Sequence, residues 1–225
     1  MNDTAERLPD LVRRWQAGWR LARGLAAAEL TEDLLQVRFG LPHRHLEFVA
    51  LRADEAPGPL ARLAERVAEA TEVNWLTVPT NEPERATEIL RAAGLEVPAE
   101  PEWLMSVDLT RHPRPAPAPP YRREVRVDGA VIAVTITDGS GAEMAARGWA
   151  AFTGTDAVAD RIETSAEHRR RGLGSAMMGS LTEAAMTQGA TTGLLVASVD
   201  GQRLYSSLGW ERRAYVLIGR KPSVG

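Results

Sequence analysis

The turn Arg169-Arg170-Arg171-Gly172-Leu173-Gly174 constrains the fold of this 225-residue chain more than any other segment. It follows a strand pattern at 157–164 and leads into a helical apolar pattern that runs from Gly172 and ends at Gly189. A helix start leaves backbone N–H groups without partners, and together with the helix dipole these groups bind anions. The two glycines allow close approach to the main chain, and the three arginines add positive charge. The sequence therefore predicts a phosphate-bearing ligand on a strand–turn–helix unit.

Generic phosphate motifs do not fit this turn. The chain has no G-x-x-x-x-G-K-[ST] sequence, and the stretch from Gly172 to Met177 lacks the third glycine of a dinucleotide fingerprint. Taken alone, the three arginines are equally compatible with a solvated basic helix start. A second motif, Leu204-Tyr205-Ser206-Ser207-Leu208-Gly209-Trp210, follows an apolar strand pattern at 194–198 and is typical of a short helix with an inward tyrosine.

Together these segments resemble the GNAT N-acetyltransferase superfamily. The family's pyrophosphate loop follows [Q/R]-x-x-G-x-[G/A], which falls here on Arg169, Gly172 and Gly174. Residues 162–168 resemble the family's fourth strand and the lead into the loop, and residues 204–210 resemble its L-Y-x-x-x-G-[F/W] signature. The resemblance implies an α/β fold with a mixed, mostly antiparallel GNAT-type sheet flanked by helices.

A proline-rich segment divides the chain. Residues 111–120 hold five of the fourteen prolines, which predicts an extended linker, and both halves share an order of strand, helix and strand. Leu90 stands where the second half has Tyr205, and no Arg/Gly turn precedes the corresponding helix of the first half. We therefore expect a degenerate GNAT-like lobe with an N-terminal amphipathic helix over 1–110, and an acetyl-CoA-binding catalytic lobe over 121–225. Chance similarity of two α/β patterns is the alternative.

Composition excludes several classes of function. The formal net charge of −3 gives no reason to expect a nucleic-acid partner, and the lack of cysteine excludes disulfides, thiolate metal sites and a cysteine nucleophile. The four histidines show no metal-ligand spacing, so no metal is expected. No apolar run reaches membrane-spanning length and no signal-peptide pattern begins the chain, so we expect a cytoplasmic protein without a membrane partner. The sequence is compatible with either a monomer or a homodimer.

The resemblance implies acetyl-CoA as co-substrate and assigns groups that bind it. It implies that the backbone of Ile162, Glu163 and Thr164 pairs with the pantetheine arm, and that one N–H of this strand polarises the thioester carbonyl. Ser198 stands where relatives often carry asparagine and can donate a hydrogen bond, directly or through water. The turn is assigned to the pyrophosphate through Arg169, Arg170, Arg171, Gly172, Leu173, Gly174 and Ser175.

The same resemblance assigns catalytic and acceptor-binding side chains. Tyr205 is the candidate general acid for the departing thiolate, with a packed inward aromatic as the alternative. Asp160 is the first candidate for a general base and Glu163 the second, on the opposite face of the strand unless a bulge intervenes. Either carboxylate can instead pair with a nearby arginine, and an acceptor amine of low pKa needs no base. Trp149 and Phe152 are candidates for an acceptor pocket, or for the core.

Three functions agree with these assignments. The first is direct transfer of an acetyl group from acetyl-CoA to the primary amine of a small-molecule acceptor. The second is acetylation of a protein N-terminus or lysine. The third is a non-catalytic acyl-CoA-binding or interaction module, against which Tyr205 argues.

Overall fold

The computed structural model describes residues 6–31, 33–141 and 143–222. The chain divides into two compact units, and each unit takes a segment from the other half of the sequence. The first unit comprises the N-terminal residues up to Arg14, Leu25–Leu104, and the C-terminal residues from Arg212. The second unit comprises Trp15–Gly24 and Met105–Glu211. The second half of the N-terminal helix therefore belongs to the unit that carries the Arg/Gly turn.

The first unit has strands in the order β1-β2-β3-β4-β11. Its two helices after the N-terminal one each begin with proline, and a residue in the first turn needs no N–H for an intrahelical hydrogen bond. Apolar side chains of both helices pack on buried strand residues such as Phe48 and Leu76 to form its core. Its elements are α1 (Leu8–Ala22, shared with the second unit), β1 (Glu29–Leu30), β2 (Leu34–Leu41), β3 (Arg44–Ala50), α2 (Pro57–Glu69), β4 (Trp75–Thr80), α3 (Pro83–Ala92) and β11 (Glu211–Arg220).

The second unit has strands in the order β10-β9-β8-β7-β6, with residues 105–108 of β5 beside β10. Helix α4 covers β7, β8 and β9. It packs closely on β8 at Gly148, where a Cβ would lie 2.6 Å from Ile162 of β9 and 3.1 Å from Met177 of α4. The elements are β5 (Glu102–Asp108), β6 (Arg122–Asp128), β7 (Val131–Thr137), β8 (Met144–Thr153), β9 (Asp156–Thr164), α4 (Leu173–Thr187), β10 (Thr192–Ala197) and α5 (Val199–Ser207).

The strand pairing confirms the predicted fold class. β9 and β10 are parallel, as are β3 and β4, whereas the other registered pairs in both units are antiparallel. The same order of elements occurs twice, as β2-β3-α2-β4-α3 and as β8-β9-α4-β10-α5. In each copy an antiparallel pair is followed by a helix and then by a strand parallel to the second member of the pair. This repetition supports the interpretation of the first half as a degenerate copy of the second.

The proline-rich segment runs along α4 within the second unit. Residues 112–118 have no regular structure. Gly179 of α4 makes room for this segment, because a Cβ there would lie 2.9 Å from Cα of Arg114. The segment is thus packed on the helix that follows the Arg/Gly turn.

Candidate functional site

The Arg/Gly turn has the backbone geometry of an anion site. Arg170 and Gly172 adopt left-handed conformations with φ of 61° and 76°. Gly172 is the N-cap of α4, so the helix begins one residue later than the sequence predicted. The first N–H bonded within the helix belongs to Ala176, which donates to the Gly172 carbonyl at 3.0 Å. The N–H groups of residues 173–175 therefore have no intrahelical acceptor and are free for an anionic ligand.

The two glycines of the turn differ in their surroundings. The backbone at Gly172 is left-handed, a conformation that favours glycine, and a Cβ at this position would point into open space. Gly174 lies close to α5, since a Cβ there would lie 2.7 Å from Cδ2 of Leu204. Leu204 precedes Tyr205, so the start of α4 is packed directly against the helix that carries the candidate acid.

The three arginines have different environments. Nε of Arg169 donates to the Thr164 carbonyl at 3.4 Å, which ties the turn to the end of β9. Nη1 of Arg171 donates to the hydroxyl of Tyr121 at 2.9 Å, and that hydroxyl lies 2.9 Å from Nδ1 of His168. Arg170 is exposed and has no ion pair or hydrogen bond within the described ranges. Arg170 is therefore the arginine best placed to contact a ligand.

The parallel strands β9 and β10 separate after a short paired region. Their register runs from Asp156 opposite Thr192 to Val158 opposite Leu194. β9 continues to Thr164 and β10 to Ala197 without further registered pairs between them. The backbone edge of β9 that faces this opening includes 162–164, the residues expected to pair with a pantetheine arm.

A bulge in β9 places Asp160 and Glu163 on the same face of the strand. Arg161 has a φ of 52°, and the pairing with β8 shifts between Trp149 opposite Asp160 and Arg147 opposite Glu163. Regular alternation would place Asp160 and Glu163 on opposite faces, but the one extra residue in β9 brings them to the same face. The bulge considered in the sequence is present, and both carboxylates lie on the face of Trp149.

Asp160 is held by two guanidinium groups. Nη2 of Arg23, from the end of α1, donates to Oδ1 at 2.9 Å, and Nε of Arg23 lies 2.8 Å from Oδ2. Nε of Arg161 lies 3.2 Å from the same Oδ2. The Asp160 side chain is only 10% exposed. Its charge is thus compensated inside the unit rather than by water.

Arg161 also connects β9 to its neighbours. Its Nη2 donates to the carbonyl of Ala22 in α1, and its guanidinium lies 4.4 Å from the ring centre of Trp149. Arg23 in turn lies over the Trp19 ring at 4.9 Å. Two arginines, two tryptophans and one carboxylate therefore form a single cluster on this face of the second unit.

Glu163 is ion-paired as well. Nε and Nη2 of Arg147, directly opposite on β8, lie 2.8 and 2.7 Å from its Oε2. Both side chains are about half exposed, so this pair is weaker than that of Asp160. A cleft of about 300 Å³ adjoins the pair at the end of β9 and includes Thr164 and Arg169 in its lining.

Tyr205 lies on α5 with its ring in the core. It is 8% exposed, its ring centre is 6.0 Å from that of Trp210, and Gly201 leaves room for its edge. Burial, and then the negative charge of Asp160, raises the pKa of Tyr205 to about 12. The phenol therefore keeps its proton throughout the physiological pH range, as a general acid must.

The structure does not bring all the predicted site residues together. The Ser198 hydroxyl caps α5 by accepting a hydrogen bond from the Gly201 N–H at 3.3 Å. Trp149 and Phe152 have an uninterrupted register with β9 between them, so alternation directs their side chains to opposite faces of β8. Trp149 belongs to the Asp160 cluster, and Phe152 lies on the α4 side.

Sequence reasoning missed Arg23. It is separated from Asp160 by 137 residues, and in the sequence it resembles any other basic residue at the end of an amphipathic helix. The sequence offers one sign, the spacing of four residues between Trp19 and Arg23, which allows their side chains to meet. Local patterns could not predict that Arg23 pairs with Asp160.

Replacing Arg23 with glutamine is expected to lower the Tm by several degrees. The change removes one partner of a mostly buried ion pair and leaves Asp160 with Arg161 alone, which we expect to cost about 2 kcal/mol. Thermal unfolding measures this effect. Arg20→Gln, in the same turn of α1, is the matched control, since Arg20 has no ion pair among the described residues and should change the Tm by about a degree or less. Equal Tm values for the two variants would contradict the assigned role of Arg23.

The acetyltransferase (GNAT) family model matches residues 88–210, more than half of the chain, and the chain belongs to this family. Family membership makes the protein an acyltransferase, and the family typically takes its acyl group from acetyl-CoA. Comparison with curated protein sequences gave no significant match.

Solved structures with low sequence identity share the fold. A GCN5-related N-acetyltransferase from Kribbella flavida is 16% identical with a TM-score of 0.71, over 98% of this chain and 97% of that chain. A tandem GNAT protein from the clavulanic acid biosynthesis pathway is 13% identical with a TM-score of 0.57, over 84% and 79%. A GNAT-family acetyltransferase from Novosphingobium aromaticivorans is 17% identical with a TM-score of 0.56, over 93% and 95%.

The described residues contain neither a membrane-spanning helix nor a metal-binding cluster. None of the helices in the described ranges has both the length and the apolar character needed to cross a membrane. Within the same ranges, no group of three or more histidine, aspartate or glutamate side chains is arranged to hold a metal ion.

Proposed function

We propose that the protein transfers an acetyl group from acetyl-CoA directly to the primary amine of a small-molecule acceptor, in the second unit. The observation that carries this proposal is the contact between Gly174 and Leu204. It fixes the anion-binding start of α4 against the helix that carries the buried phenol of Tyr205. In this proposal the diphosphate of the donor lies on the turn, and its thioester end lies at the phenol of Tyr205.

The residues of the turn fit a diphosphate. Three main-chain N–H groups at 173–175 lack intrahelical acceptors, the space beside Gly172 is open, and Arg170 has no ion pair with any residue that the structure describes. Helix dipole, N–H donors and a guanidinium together supply the charge-assisted hydrogen bonds that phosphate oxygens need. The separation of β9 from β10 then offers a free strand edge at 162–164 for the amide-rich pantetheine arm.

The chemistry requires one C–N bond to form and one C–S bond to break. The acceptor nitrogen attacks the thioester carbon, an N–H of β9 stabilises the carbonyl oxygen as it becomes negative, and the amine gives up a proton to water. The sulfur leaves with the electron pair of the C–S bond, and Tyr205 donates its phenolic proton to that sulfur. The phenolate is then reprotonated from solvent.

The raised pKa of Tyr205 is compatible with this role. Burial disfavours every anion formed in the site, so the pKa of a thiol released there, ordinarily about 8.5, rises as well. The same desolvation therefore raises both the pKa of Tyr205, which donates the proton, and the pKa of the thiol that is formed. Within the described residues the Tyr205 hydroxyl has no hydrogen-bond partner, which leaves it free to face a ligand.

The first unit is proposed to have lost its acyl-CoA site. α2 begins at Pro57 after Ala56, without a side-chain cap or a glycine turn, and Leu90 is fully buried in the place that corresponds to Tyr205. This unit has a cleft of about 250 Å³ between β2 and α2, but none of the assigned site residues lines it. The tandem GNAT protein from the clavulanic acid biosynthesis pathway is a precedent for two such lobes.

A thiol-release assay with acetyl-CoA and a broad panel of primary amines tests the proposed function. Amine-dependent release of CoA by the full chain, with the N-acetylated product seen by mass spectrometry, is the expected result. Release with peptide substrates only would favour the protein acetyltransferase instead. Tight CoA binding without release for any amine would favour the non-catalytic module.

A further inference from the structure

An amine must be neutral when it attacks a thioester. An alkylamine like that of lysine, with a pKa of about 10.4, is only about 0.1% neutral at pH 7.5, whereas an α-amine with a pKa near 8 is about one quarter neutral. A site for a strongly basic amine therefore needs a base that removes a proton, whereas a weakly basic amine arrives in its reactive form. Whether the carboxylates near the site are ion-paired or open to a substrate distinguishes these two kinds of site.

Asp160 is placed as a counter-ion. Both of its oxygens are engaged by guanidinium groups, at 2.8 and 2.9 Å from Arg23 and at 3.2 Å from Arg161. Oδ1 accepts a charge-assisted hydrogen bond from Nη2 of Arg23, and Oδ2 lies beside guanidinium nitrogens of both arginines in a mostly buried cluster. The charged and titratable groups that face it are Arg23 directly after α1, Arg161 on β9 and Tyr205 on α5.

Glu163 is also ion-paired, but through one oxygen and in a half-exposed position. Because of the bulge at Arg161 it lies on the same face as Asp160, and Arg147 holds one of its oxygens with two nitrogens. The two buried histidines have partners elsewhere in the unit. His168 lies against Tyr121, and His112 lies 3.3 Å from the Thr182 hydroxyl on α4.

We propose that the two carboxylates of β9 act as counter-ions rather than as bases, and that the acceptor is a weakly basic primary amine. This inference rests on the proposed acetyl transfer and names the acceptor class. Amines next to an electron-withdrawing group belong to this class, such as α-amines, amines beside ether or hydroxyl carbons, and hydrazides. The cluster of Arg23, Arg161 and Asp160 then serves to fix β9 and its bulge, and thereby the strand edge along which the donor lies.

The test is the pH dependence of kcat/KM for a series of substituted ethylamines of similar size, with amine pKa values from about 6 to about 10. We expect kcat/KM of the wild-type chain to level off at a pH that follows the pKa of each acceptor. The same dependence is expected in Asp160→Asn and in Glu163→Gln, whatever their absolute rates, because neither side chain accepts the proton. Glu124→Gln removes a comparable exposed Glu–Arg pair from β6 and is the matched control.

Two outcomes would overturn the inference. One is a plateau at the same pH for all acceptors that disappears in Asp160→Asn or Glu163→Gln but not in Glu124→Gln; this would identify an enzyme base and leave acetyl transfer intact. The other is the absence of CoA release with every amine, which would overturn the proposed function and the inference with it.

Discussion

Replacing Tyr205 with phenylalanine is expected to lower kcat for acetyl transfer by about 100-fold while leaving the Kd for CoA within about twofold. The ring, its contact with Trp210 and the space provided by Gly201 are all retained, so packing changes little. Only the proton donor is lost, and positioned acid catalysis is typically worth 10²–10⁴-fold. Single-turnover measurement of acetyl transfer checks the rate, and calorimetry checks the affinity.

The choice of donor makes this prediction sharper. The loss should shrink with an activated thioester whose leaving thiol is more acidic, because that thiolate depends less on protonation. Tyr215→Phe is the matched control, since Tyr215 lies on β11 with its ring 4.8 Å from the Arg212 guanidinium and has no assigned role in transfer. Wild-type rates for Tyr205→Phe with the natural donor would remove Tyr205 from the mechanism.

Replacing Gly172 with leucine is expected to weaken CoA binding by about 100-fold or more. The left-handed backbone strains a residue with a Cβ, and the new side chain would occupy the open space beside the free N–H groups. A hundredfold loss corresponds to about 2.8 kcal/mol. Calorimetric titration with CoA measures it.

Gly189→Leu separates loss of the site from strain. Gly189 stands after the other end of α4, has a φ of 92°, and also faces open space. Its substitution should cost similar stability without affecting CoA. If both variants bind CoA alike, the turn is not the diphosphate site.

Local sequence patterns were sufficient to predict most of the fold. The Arg/Gly turn, the helix after it and the strands on each side depend on near neighbours, and the helix begins within one residue of its predicted position. The fold class was also predictable, because the parallel β9–β10 pair follows from the crossover through α4.

Long-range features of the site were not predictable. The bulge is marked by Arg161, a residue type with no preference for a positive φ, and its position depends on register with β8. Arg23 reaches Asp160 only because residues 15–24 pack in the second unit. Without these two features, Asp160 resembled a free base, whereas in the structure it is the centre of an ion cluster.

A calorimetric titration of the full chain with acetyl-CoA tests whether the Arg/Gly turn is the acyl-CoA site. We expect one binding site per chain, in the second unit, whose heat of binding is lost in Gly172→Leu and retained in Gly189→Leu. Two equivalent sites would show that the first unit has kept its acyl-CoA site, and a wild-type chain without binding heat would contradict the assignment of the turn itself.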